Sequence, residues 1–290
     1  MVKNDDKDFQ KVIGSLTTIP KYWNAWSSKP LLTLLAKKKK VAVASADEKT
    51  AKIIWCLETL VKIHATFIDA FKQMKANQFY KAWCLLEQAE IKIHFLEKHI
   101  DKKKNPFNVI FLDAQIKRFQ DMFPYAVFFS PEIIEKEVQC SICNHIIKPR
   151  SRCGHVVGEI YSGKMCTRIV TRSEFISISI VKNPVQKYSV AFMTDEDGKG
   201  TVDHHDYSLV KFISDRLASP YHGWDYTKTK TRHPHSRFSH VAPTEACPCE
   251  SGKVYNECCL LTEGVLRPHF EILFEKTPPK RMSMLEYSIR

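Results

Sequence analysis

Glycine is scarce in this sequence, nine residues in 290, and the fourteen prolines are scattered rather than repeated. That excludes a collagen-like chain and a low-complexity Pro/Gly-rich one. Long apolar runs are missing as well. Stretches such as Leu31 to Ala36 fall far short of the ~20 residues a membrane span needs. The first ten residues, MVKNDDKDFQ, alternate charges and hold no apolar signal-peptide core. Disorder throughout is also excluded, because 44% of the residues are apolar and 290 residues suffice for a sizeable core and two domains. The expectation is a soluble, cytoplasmic protein.

The ten cysteines are not spread as in a secreted disulfide scaffold. Eight fall in two tight groups, Cys140, Cys143, Cys153 and Cys166, then Cys247, Cys249, Cys258 and Cys259. Closely spaced thiols of this kind read as metal ligands in a reducing compartment. Cys56 and Cys84 lie in helical patterns, where a small buried thiol is the simpler reading.

The formal net charge is +12, with 23 basic and 16 acidic residues (+7) in 1–139 and 21 and 16 (+5) after that. Two thiolate-bound zinc ions would lower it to roughly +8 or +9. The excess suits an acidic partner, nucleic acid or an acidic protein surface, and no segment stands out as a basic reader.

Four regions follow from the patterning. Residues 1–46 read as an arm, with Tyr22, Trp23 and Trp26 between prolines and a lysine run at Lys37–Lys40. Residues 47–124 read as a helical domain. Ile53, Leu57, Leu60, His64, Phe67, Phe71 and Met74 form one stripe, and Phe79, Trp83, Leu86, Ala89, Ile93, Leu96 and Ile100 a second, separated by Asn77. A third helix is expected to start at Asn105-Pro106 and end before Pro124. Residues 125–220 read as an α+β domain: a strand at Tyr125–Phe129, a brief helix at Pro131–Val138, then a hairpin of Ile176/Ile178/Ile180 with Tyr188/Val190/Phe192, then a helix from Asp206 to about Ala218. DEDGKG (Asp195–Gly200) is a plain turn. Residues 221–290 begin with an aperiodic basic and aromatic loop, 221–246, and end in a strand near Phe270–Phe274. The predicted class is α+β: a helical hairpin plus a third helix, then a small zinc-stabilised β region and a C-terminal zinc module.

Cys140-x-x-Cys143 is a knuckle, Cys153-Gly-His155 a second pincer, and Cys166 closes a glycine-punctuated turn. Five candidates compete for four positions. The preferred set is Cys140, Cys143 and His155 with either Cys153 or Cys166, and His145 is a weaker sixth. At the end, Cys247-Pro-Cys249 and the adjacent Cys258-Cys259 flank a Ser251-Gly252-Lys253 turn. The string CPCxSGKxYxxCC over residues 247–259 resembles the SEC-C motif, named for the zinc-binding tail of the bacterial secretion ATPase. There the tail contacts an export chaperone and phospholipid, and the motif is also appended to many otherwise unrelated proteins. The resemblance implies zinc. One position departs from it: Glu250 stands where the motif usually carries glycine, so the first turn differs or brings a charge near the metal. The 140–166 segment in turn looks like a recurring module of uncharacterised bacterial and phage-associated proteins.

Both groups can fill four positions from cysteine-rich sets, which suits closed structural sites and not a catalytic metal with an open water position. The cluster Asp203-His204-His205-Asp206 is more simply a helix cap. The expectation is therefore a zinc-binding adaptor without enzymatic activity, docking a protein partner through its helical part and the SEC-C surface. The alternative is nucleic-acid binding by Lys37–Lys40 and the 221–240 loop; a metal-dependent hydrolase comes third.

Overall fold

The computed structural model describes residues 6–104, 107–195, 197–198 and 200–275, and the chain is α+β with small antiparallel sheets. The described residues divide at 221/222 into two units. No helix among them is long and apolar enough to cross a membrane.

The first unit is built on α3 (Glu48–Lys75) and α4 (Phe79–Leu96). Asp47 starts α3 by accepting the Thr50 N–H at 3.0 Å. The expected stripe, from Ile53 to Met74, is buried. Asn77, at φ +56°, makes the turn into α4, whose Trp83, Leu86, Ala89, Ile93 and Leu96 face the core. His64 is fully buried and hydrogen-bonded on both nitrogens. A carbonyl can only accept, so Nε2–H donates to Phe107 O (3.0 Å) and Nδ1 takes the Tyr221 hydroxyl (2.7 Å). The third helix, α5 (Val109–Met122), starts after Asn108 at φ +55°. The expected Asn105-Pro106 start lies outside the described residues.

The arm reading of residues 1–46 is corrected. Of these, the described residues, 6–46, form α1 (Lys7–Tyr22) and α2 (Ser28–Ala44). Phe9, Val12, Ile13, Leu16 and Ile19 make a helical stripe, and Leu31, Leu35 and Ala42 are buried on α2. Pro20 lies in the last turn of α1, and Pro30 lies in the first turn of α2, where its missing N–H costs nothing. Completely burying Val12, Leu16 and Ile19 is worth about 1.5–3 kcal/mol each, enough to hold such helices down. Trp23 meets Phe71 edge-on at 5.7 Å, and Trp26 Nε1 donates to Ser15 Oγ at 2.9 Å, so both rings are docked. Two of the four lysines are tied internally: Lys38 to Asp6 and Asp8, Lys39 to Glu58 at 2.5 Å.

The β region differs most from expectation. Residues 131–138 are strand, not helix: β1 (Phe128–Cys140) runs antiparallel to β4 (Arg168–Val181) as one long ribbon. Ile176, Ile178 and Ile180 therefore pair with β1 and not with residues 188–192, of which only Val190 bridges to Phe128. Long-range pairing overrode the local pattern of Pro131–Val138. Between the two strands lie β2 (Ile160–Tyr161) and β3 (Lys164–Met165), a short hairpin. After the ribbon, residues 186–189 are clamped on α4: Trp83 Nε1 donates to Lys187 O (2.6 Å), Tyr80 to Tyr188 O (2.7 Å), and buried Glu87 accepts the Lys187 N–H. A two-residue ladder, β5 (Met193–Thr194) with β6 (Thr201–Val202), surrounds the 195–200 turn, of which Glu196 and Lys199 lie outside the described residues. The unit closes with α6 (Ser208–Arg216).

In the second unit the 221–246 loop reading is corrected in its first half. β7 (Trp224–His233) pairs along its whole length with β8 (Val265–Phe274). Lysines and threonines alternate there, so no apolar period marks the strand. A small core of Cys247, Tyr255, Cys259 and Val265, flanked by Phe238, Val241 and Leu266, sits under the hairpin's end.

Candidate metal centres

At the end of β1 the chain turns through the Cys140–Cys143 knuckle. Asn144, at φ +58°, completes the turn, and its N–H donates to Cys140 O (2.9 Å). The Ile142 N–H points at Cys140 Sγ from 3.4 Å and, with other amide and thiol donors, pulls that thiol down to about 6. Gly154 (φ +83°) turns Cys153 and His155 back toward the knuckle, so the four ligand atoms of Cys140, Cys143, Cys153 and His155 lie within 4.8 Å of one another. Cys140 Sγ is 3.7 Å from His155 Nδ1 and 3.9 Å from Cys166 Sγ. A tetrahedral ion with bonds of about 2.3 Å to sulfur and 2.0–2.1 Å to nitrogen needs edges of about 3.5–3.8 Å. Disulfides need about 2.05 Å, which excludes them here. Cys166, buried, touches the group from the β3 side, and burial pushes its thiol up to about 11. His145 instead meets Ser151 Oγ at 3.0 Å, outside the group.

The lobe is fastened to the helices. His99, buried at the end of the α4 segment, donates Nε2–H to Gly158 O (2.8 Å), with Gly158 at φ +89°. Gly158 N–H in turn donates to Cys166 O (2.8 Å). Glu48, in the first turn of α3, accepts the Ser162 N–H (2.7 Å) and hydroxyl (3.0 Å) at the tip of the β2–β3 hairpin. The Tyr161 ring meets the His155 imidazole edge-on at 4.6 Å and fixes its plane. The sequence singled out the candidate ligands, and Tyr161 lies in the same segment between His155 and Cys166, but Glu48 and His99 carry no spacing that links them to the cysteines.

In the second centre, Cys247, Cys249, Cys258 and Cys259 converge within 4.8 Å, with Cys249–Cys258 sulfurs 3.5 Å and Cys258–Cys259 sulfurs 4.0 Å apart. The reversal is held by Cys247 N–H to Lys253 O (2.8 Å) and by Gly252 at φ +79°. Two 3-10 turns, Tyr255–Glu257 and Cys259–Leu261, deliver the last pair. Ser251 beside Cys249 is the first cause holding that thiol down at about 6, while burial raises Cys259 to about 12. Tyr255 packs in the core and bonds His235 Nδ1 (2.6 Å), whose Nε2 reaches Thr262 O (2.8 Å). Glu250 has φ +64°, a left-handed conformation that costs a side-chain-bearing residue about 1–2 kcal/mol. This is the position where the resembled motif carries glycine. Its carboxylate pairs with Arg267 Nη1 at 2.5 Å.

The Asp203–Asp206 cluster belongs to neither centre. Asp203 accepts from His205 Nδ1 (3.0 Å) and from the Tyr207 hydroxyl (2.5 Å), and Asp206 accepts the Ser208 N–H (2.8 Å) as α6 begins. On β7, Tyr226, Lys228, Lys230 and Arg232 share one face with Phe270 and Leu266 of β8. Lys228 Nζ lies 5.5 Å from the Phe270 ring centroid, and Arg232 is held by Thr262 and Gly264 O. No protein-family model, curated protein or solved structure matches the chain.

Proposed function

We propose that the protein is a zinc-stabilised docking protein without a catalytic centre, and that residues 247–259 are a zinc module of the SEC-C type. The observation that carries this reading is the convergence of four soft donors at each centre, at spacings that suit a tetrahedral ion. Four thiolate and imidazole ligands leave no position for an activated water, so each zinc acts as a folding brace. In the first centre Cys140, Cys143, Cys153 and His155 are the proposed ligands, with Cys166 packed behind them. The partner is a protein, bound through the helical unit and the SEC-C surface. What favours a protein over nucleic acid is the internal pairing of Lys38 with Asp6 and Asp8 and of Lys39 with Glu58, which partly neutralises half of the basic run.

One observation supports nucleic acid as a second reading: exposed Lys228 and Lys230 flank Tyr226 and Phe270 on a single ribbon face, a pattern that pairs phosphates and stacks bases. Affinity purification of the tagged protein with and without nuclease separates the two. A protein partner survives nuclease and moderate salt and is lost in Cys258→Ser. Binding that nuclease abolishes, and that falls steeply with log salt, refutes protein docking.

A further inference from the structure

The β1–β4 ribbon has two unlike faces. Register pairs Phe129↔Ile180, Pro131↔Ile178 and Ile133↔Phe175 put six apolar side chains on one face. Pairs Ser130↔Ser179 and Glu132↔Ser177 put hydroxyls and a carboxylate on the other. The apolar face is open: Phe129 is 40% exposed, Ile133 44%, Phe175 61%, Ile178 60% and Ile180 72%. It presents on the order of 600 Å² of apolar surface, at the upper limit of what an ordinary monomer leaves uncovered. A two-stranded ribbon is also marginal alone and needs a further layer against its apolar face.

We infer that a second copy of this chain supplies that layer, apolar face on apolar face across a two-fold axis, as a small four-stranded sandwich. The area fits, since two such faces bury on the order of 1,200 Å², the lower bound of a specific stable interface. Charge fits as well. The face carries no ionisable group between Phe129 and Phe175, so self-apposition brings no like charges together, and it offers a phosphate or acidic partner nothing to pair with. The two strands hold four acidic and three basic side chains, a near-neutral stretch in a chain of net +12. Edge-to-edge pairing is the poorer alternative. Register shifts at Glu132/Ile133, Glu135/Glu137 and Glu137/Val138 and the absent N–H of Pro131 spoil the ribbon as a template for a third strand.

Sedimentation velocity of the full chain with its metal, from about 1 to about 100 µM, tests this. The expected result is a concentration-dependent dimer that Ile178→Glu weakens at least about 100-fold, while Ser179→Glu on the opposite face changes it less than about threefold. Both positions are exposed in the single chain, so far-UV circular dichroism should match the parent, while Tm of Ile178→Glu falls only at concentrations where the parent is dimeric; Ile180→Lys replaces Ile178→Glu if that variant does not fold. A parent that stays monomeric throughout, including one whose face is covered by its own chain, overturns the inference. So does a dimer that survives the face substitutions, or one that Ser179→Glu disrupts equally.

Discussion

Acidification should destabilise the first unit through His64. The imidazole is fully buried between the Tyr221 hydroxyl and Phe107 O, and burial pushes its pKa from about 6.5 down to about 4. The unfolded chain therefore binds a proton that the folded one refuses, and stability falls with pH below the unfolded value. The loss begins near pH 6.5, reaches about 1.4 kcal/mol by pH 5.5 and about 3 kcal/mol by pH 4, where the folded imidazole starts to titrate. Urea unfolding from pH 7.5 to pH 4, followed by helical circular dichroism, reads this in the parent and in His64→Gln. The glutamine keeps an amide donor near Phe107 O and has no proton to gain. Protonation of His99 and of the metal ligands occurs in both proteins and cancels in the difference. The gap between the two stability curves should narrow toward acid by about 3 kcal/mol. Parallel curves would refute a neutral His64 as the source.

Three further outcomes follow from the centres. At Glu250 (φ +64°), Glu250→Gly should be about 1 kcal/mol more stable than Glu250→Ala, because alanine keeps the left-handed strain and both lose the Arg267 pair; thermal melts of the second unit check this. Cys143→Ser should disorder the lobe that Glu48 and His99 fasten to the helices and lower the Tm of the first unit. Cys258→Ser should leave the helical signal at 222 nm intact, and equal losses of thermal stability would contradict the division. Cys153→Ala should release one zinc, whereas Cys166→Ala should retain it and cost stability only through the cavity left beside Cys140.

The helices were legible because their signals are local. The stripe from Ile53 to Met74 repeats with the helical period, Asp47 caps it, and Asn77 breaks it. The pairs Cys140/Cys143, Cys153/His155, Cys247/Cys249 and Cys258/Cys259 were legible for a similar reason, since the two members of each lie within a few residues of each other, whereas Cys166, a fifth candidate for the first group, lies outside the converging set. What the sequence hid is long-range. The Pro131–Val138 segment looks helical until its partner, some forty residues on, is known, and β7 alternates lysine with threonine, so only its pairing with β8 makes it a strand. Pro20 and Pro30 made residues 1–46 read as an arm, although Pro30 sits in a first turn, where a helix tolerates proline, and Pro20 interrupts only the last turn of α1. The two anchors of the first centre were equally invisible, because Glu48 reaches it from the first turn of α3 and His99 from the turn after α4, both far away in the chain.

Two closed centres are the core of this account, and a metal count tests them most directly. Elemental analysis of protein purified under reducing conditions and never exposed to chelator should give two zinc ions per folded chain, one for the 140–166 group and one for the 247–259 group. Folded protein that contains close to no zinc would contradict it.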